Sequence, residues 1–410
     1  MRSLSSSLIG LASALIVLSA SCSNAPPAVG SASGKSSASA SVSTSTAVAS
    51  ASAAADQSRA LENAKREEEA RKARFAELAN DLSEPDAEFF SDNFISNETS
   101  YLQVAKNLAK RAKQDGVYIG VGPEQNFTYI ALSKPRLAFI VDIRRQNLLL
   151  HLLYKAAFEE ASSRAHFLSL MLGRAHEAAN DGSAADGVDA VLANVAKDKF
   201  DAASYKAAHE TLMKRVEGYG VTLSADDKKH LEATHKAFFD GQLELKFSLK
   251  SNNGRAYPTL REILGAKSPE GSQEGFLATE ESFRFLQTME KEHRIIPLVG
   301  DFAGEKAMPG LAAYLTKENL VVSSYYVSNV EQYLLDPKPW EAWKRNVKAL
   351  PKDDSSLYIR AYLDQGKKHP KELKGQRTAT VLQSMKDFDQ VFGPKKSATL
   401  YDISTTNVLD

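Results

Sequence analysis

Gly116-Val-Tyr-Ile-Gly120-Val-Gly122-Pro-Glu124-Gln-Asn126, followed by Arg136-Leu-Ala-Phe-Ile-Val-Asp142, reads as strand, glycine turn, helix, strand and acid in that order. The run from Gly116 has the apolar, β-branched character of a buried parallel strand. Gly120 and Gly122 let the backbone turn sharply and leave room for a ligand beside it. A helix starting near Glu124 points free N–H groups and its positive end at that space. Asp142 stands 142 − 120 = 22 positions after the first glycine. That interval brings an acid on the next parallel strand to a ribose hydroxyl pair. The expected ligand is of adenosine type.

Working outward, Leu102, Ala105, Leu108, Ala109 and Ala112 predict a helix over Thr99–Gln114 feeding the first strand. Asn147–Leu172 is apolar at helical spacing and predicts one long buried helix. Residues 173–290 lack strand patterns and read as a helical insertion between strands 2 and 3, with a turn at Asn252-Asn-Gly254 and a helix capped by Thr279. Strands resume at Arg294–Gly300, Leu320–Val327 and Ser355–Leu363. Helices are expected at Glu305–Lys317, Trp340–Ala349 and Gln376–Val391, and a final strand at Ala398–Ile403. Strands spaced by helices make the fold class α/β, with a mostly parallel sheet.

The N-terminal region is of another kind. Arg2 and the apolar run Leu8–Leu18 form a secretion signal over 1–22, too short to span a bilayer. Cys22, the single cysteine of the chain, follows Leu18-Ser-Ala-Ser, which resembles a lipobox. Residues 23–56, rich in Ser and Ala, read as a flexible tether, and 57–98 as an N-terminal helix and loop. The expected partner is therefore a membrane, reached through lipid on Cys22, and the expected location the bacterial cell envelope, on its extracytoplasmic side. With 51 basic and 51 acidic residues the chain is balanced, which implies no nucleic-acid partner. The eight histidines show no metal-binding spacing. One cysteine allows no internal disulfide.

The element order over about 99–147 and 291–363 resembles the S-adenosylmethionine-dependent methyltransferases, a Rossmann-like family. The resemblance implies a methyltransferase-like domain over 99–410 with S-adenosylmethionine as its cofactor. It assigns Gly120 and Gly122 to the glycine loop, Asp142 to the ribose, Asp301 to the adenine, and Asn329, Glu331 and Tyr333 to the reacting methyl group. Glu331 or Tyr333 would take an acceptor proton. Glu124 and Asn126 would add polar contacts to the cofactor. The acid usual two places before the first glycine is Tyr118 here, and Glu124 stands where a third glycine is usual. More closely, GVGPEQNFTYI (120–130), FIVDIRRQN (139–147), GDFAG (300–304) and VSNVEQYL (327–334) resemble an uncharacterised bacterial family without a known activity.

Each position also has a plainer use. Asp142 caps the helix that follows as readily as it binds ribose, and Asp301 caps its own loop. Arg144 and Arg145 form a phosphate clamp or a solvated pair. S-adenosylmethionine is made and used in the cytoplasm, so export favours a small-ligand-binding or scaffold protein over methyl transfer.

Overall fold

The computed structural model describes residues 43–87, 89–248, 256–363, 366–376 and 378–409. The signal, Cys22 and the turn expected at Asn252–Gly254 lie outside the described residues. The chain divides into two units between Leu61 and Glu62, and the sheet belongs to the second.

Seven strands form one sheet: β1 Val117–Gly120, β2 Leu137–Asp142, β3 Ile295–Val299, β4 Val322–Ser328, β5 Lys352–Leu363, β6 Thr378–Ser384 and β7 Val408–Leu409. Their order is β3-β2-β1-β4-β5-β6-β7. The first five are parallel, while β6 and β7 are each antiparallel to their neighbour. Every residue of β1 is buried, as strands covered on both faces require. After β3 the chain returns to the other side of β1, so β1 and β4 flank a topological switch point. Ligands of open α/β sheets bind outside the carboxyl ends of the strands at such a point.

The helices are α1 Ser43–Asp81, α2 Ala105–Arg111, α3 Gln125–Ser133, α4 Arg145–Glu160, α5 Arg164–Met171, α6 Val188–Val195, α7 Ala202–Glu217, α8 Ala225–Gly241, α9 Leu260–Leu264, α10 Glu280–Lys291, α11 Ala307–Lys317, α12 Pro337–Ala349, α13 Met385–Val391 and α14 Leu400–Thr405. Helices α4 to α10 all fall between β2 and β3, where the insertion was expected. Helix α4 joins that insertion to the sheet: it packs on β2 and β3 and also on α5, α7, α8 and α10. Leu148–Leu150, Leu152–Tyr154 and Ala156–Phe158 are all buried, the pattern of a helix covered all round. Near the end of α1, Phe75, Leu78 and Ala79 are buried at helical spacing, which makes this end a packing helix.

Several expected elements differ. The segment expected as a tether is helical from Ser43 on, in keeping with the high helix propensity of its alanines. The expected long helix over Asn147–Leu172 breaks at 161–163, where the Ser163 hydroxyl accepts the His166 N–H and starts α5. Gln376–Val391 is not one helix. Its first part is β6, which pairs with β5 from Leu357↔Ser384 to Leu363↔Thr378. Its alternating β-branched residues suit that long-range pairing, which overrides local helical pattern. Ala398–Ile403 begins a helix instead of a strand, because Thr399 accepts the Asp402 N–H as an N-cap.

Candidate functional site

A cavity of about 760 Å³ opens at the carboxyl ends of the parallel strands. Val121–Pro123 after β1, Val141–Arg144 at β2, Gly300–Phe302 after β3, Tyr326 and Ser328–Val330 at β4, and Leu363 of β5 contribute to its walls. A further wall comes from Phe89, Phe90, Asn93 and Ile95–Glu98, which precede the sheet.

The glycine turn is held from within. Asn126 Nδ2 donates to the carbonyls of Val121, Gly122 and Pro123 at 2.9, 3.0 and 2.8 Å, and its Oδ1 accepts the Tyr118 hydroxyl at 2.9 Å. A Cβ on Gly120 would lie 1.9 Å from Asn126 Oδ1. Gly120 is therefore a packing requirement of Asn126, and neither residue lines the cavity. Gly122 differs: its φ is +78°, a Cβ there would meet nothing within 4 Å, and its backbone faces the cavity. His151 Nε2 donates to the Gly122 carbonyl at 2.9 Å. Burial pushes the His151 pKa down to about 4, so the ring is neutral at pH 7.

Glu124 is buried behind the turn, away from the cavity wall, where its carboxylate accepts the Ser96 N–H at 3.0 and 3.2 Å. Burial raises its pKa from 4.5 to about 7, only partly offset by the Ser96 N–H. The fold thus favours the neutral acid. The stability this gives is complete below pH 4.5 and is lost as pH rises through 7, a change of about 3 kcal/mol. Glu124→Gln should gain about that much on the wild type between pH 4.5 and pH 8, measured by urea unfolding at both values. An unchanged difference would show that Glu124 is ionised throughout.

Asp142 lines the cavity, but its carboxylate is engaged. Oδ1 accepts the backbone N–H and Nε of Arg144 at 2.9 and 3.0 Å, and Oδ2 accepts Nη2 at 2.8 Å. Arg144 also donates to the Asp92 carbonyl at 2.8 Å. Arg145 pairs with Asp227 and donates to the Thr222 carbonyl. The two arginines thus form neither a phosphate clamp nor a solvated pair; Arg144 closes a local ion pair with Asp142, and Arg145 pairs with Asp227 across the chain. Asp301 lines the cavity, is exposed, and accepts the Ala303 N–H at 2.8 Å. The nearby start of α11 is capped by Glu84, which accepts the N–H groups of Asp301, Lys306 and Ala307.

At the end of β4 the expected cluster divides. Asn329 and Tyr333 line the cavity, and Tyr333 stands at its mouth with its ring edge-on to Phe89 at 5.7 Å. Glu331 does not reach the cavity. It is fully buried, takes Arg360 Nε and Nη2 at 2.6 and 3.0 Å, and accepts Trp343 Nε1 at 3.3 Å. A carboxylate locked by a bidentate guanidinium is no proton acceptor for a guest, so the catalytic role expected of Glu331 is replaced by a structural one.

Sequence reasoning missed Glu98. Its buried carboxylate faces the cavity and accepts the Tyr326 hydroxyl at 2.8 Å, Gln125 Nε2 at 3.0 Å and the Ser328 hydroxyl. Burial raises its pKa, and those three donors oppose the rise. The polar run Ser96-Asn-Glu-Thr-Ser100 has no periodicity, so only its position before the first helix could have drawn notice. Among the described residues no group of three or more His, Cys, Asp or Glu could hold a metal ion.

A family model described as a domain of unknown function, DUF7790, matches residues 93–408. The chain belongs to the DUF7790 family. The matched region takes in β1 to β6, the insertion and the cavity wall from Asn93 to Glu98, and it leaves out α1. No curated protein matches the chain.

Proposed function

We propose that this DUF7790 protein binds a small nucleoside-like guest in the cavity above β1 and β4, without transforming it. The observation that carries the reading is the cavity itself. It sits at the switch point, its volume lies within the ~300–1,000 Å³ usual for small-molecule sites, and Gly122, Ser328 and Asn329 border it with backbone and side-chain polar groups. The burial of Glu331 supports binding over catalysis, since it removes one of two candidate proton acceptors.

Methyl transfer is the second reading, favoured by the sheet order and by Tyr333 at the mouth of the cavity. The residues present fit a guest of the size of S-adenosylmethionine, with Gly122 open beside it and Asp301 and Asn329 within the same wall. That group would supply an activated methyl, and Tyr333 is the one candidate left to take an acceptor proton. Asp142 offers the ribose only what its pairing with Arg144 leaves over.

Calorimetric titration with S-adenosylmethionine, S-adenosylhomocysteine, NAD and ATP separates these readings. Micromolar binding of an adenosine-bearing compound, weakened at least tenfold by Asn329→Ala as loss of one polar contact implies, is the expected result. Turnover of the methyl donor would favour the second reading. Binding of none would refute both.

A further inference from the structure

Glu98 is a buried acid whose three side-chain partners can each donate to it. Tyr326, Ser328 and Gln125 direct O–H or N–H groups at it, an arrangement that suits an acceptor-only, ionised carboxylate. Burial raises the Glu98 pKa, and these three donors act against that rise. Among the described residues no basic side chain pairs with Glu98, and Arg144, the one basic residue among those lining the cavity, is matched by Asp142. A buried carboxylate held only by neutral donors is costly, because dipoles replace water incompletely. Its counter-charge has one direction from which to come, the cavity. The mouth suits such a guest as well: Phe89, Phe90 and Tyr333 cluster there with centroids 4.1 to 6.1 Å apart, and aromatic faces attract cations.

We propose that the guest carries a positive charge, as an organic ammonium or sulfonium group, and that Glu98 is the residue that selects it. This rests on the cavity being a binding site, and it adds the charge of what binds there.

Two matched pairs test it on the whole chain: S-adenosylmethionine against S-adenosylhomocysteine, and choline against its uncharged carbon analogue 3,3-dimethylbutan-1-ol. Calorimetry should show the charged member of a pair binding at least tenfold tighter, and Glu98→Gln should shrink that ratio to within threefold. Equal affinity for the two adenosyl compounds would overturn charge selection while leaving the nucleoside reading intact. Failure of both adenosyl compounds, with choline preferred over its analogue and that preference lost in Glu98→Gln, would remove the nucleoside reading and uphold charge selection. A preference that Glu98→Gln leaves unchanged, or no binding by any of the four, overturns the proposal. The wild-type ratios test the charge of the guest even if the variant does not fold.

Discussion

Glu331→Ala is expected to lower the stability of the protein by about 3–5 kcal/mol, the usual cost of leaving one member of a buried ion pair alone. The stranded group is Arg360, itself buried, with its guanidinium stacked 3.9 Å from the centre of the Tyr358 ring and Nη1 donating to Gln383 at 2.9 Å. Among the described residues no other carboxylate pairs with that cation. The change should appear as an early urea transition and as altered Trp343 fluorescence, since the indole N–H bonds to Glu331. At a temperature where the variant remains folded, ligand affinity should match the wild type within about twofold, because the carboxylate does not face the cavity. A stable variant that has lost binding would restore the catalytic or ligand-contacting role that the sequence suggested.

Gly120→Ala should be nearly as damaging, by another route. The added Cβ falls 1.9 Å from Asn126 Oδ1 and 2.7 Å from the Tyr118 ring, so Asn126 must move. Its movement releases three loop carbonyls and the Tyr118 hydroxyl together. Overpacking of about 1–3 kcal/mol plus a buried hydrogen bond at about 1–3 kcal/mol puts the loss near 3–5 kcal/mol. Gly122→Ala has open space and only its positive φ to contend with, about 1–2 kcal/mol. Thermal unfolding of the two variants should therefore rank them with Gly120→Ala well below Gly122→Ala. The reverse order would mean that the turn is not held by Asn126.

The sheet was legible because β1, β2 and β3 are short apolar runs next to glycines and acids, and because 145–291 interrupts them with helical spacing only. Strand β6 was not. Thr378-Ala-Thr-Val-Leu-Gln-Ser384 fits either period over so short a length, and its partner β5 lies across a long connection. At the site, Gly122, Asp142, Asp301, Asn329 and Tyr333 were placed on the cavity by the rule that strand ends carry ligands. The pairing of Glu331 with Arg360 joins residues 29 positions apart on different elements, which no local pattern reveals. Asp142 and Arg144 are two positions apart, yet whether they face each other depends on the turn between β2 and α4. Glu98 sits in an aperiodic segment, and its importance comes entirely from where that segment is laid against β4.

Soaking crystals of the protein with adenosine bears most directly on the claim that the carboxyl ends of β1 and β4 form a ligand site. Density for base and ribose is expected between Gly122, Asp301 and Asn329, with the Asp142–Arg144 pair at its edge. Solvent alone in that cavity at millimolar adenosine, or nucleoside density anywhere else on the chain, would contradict it.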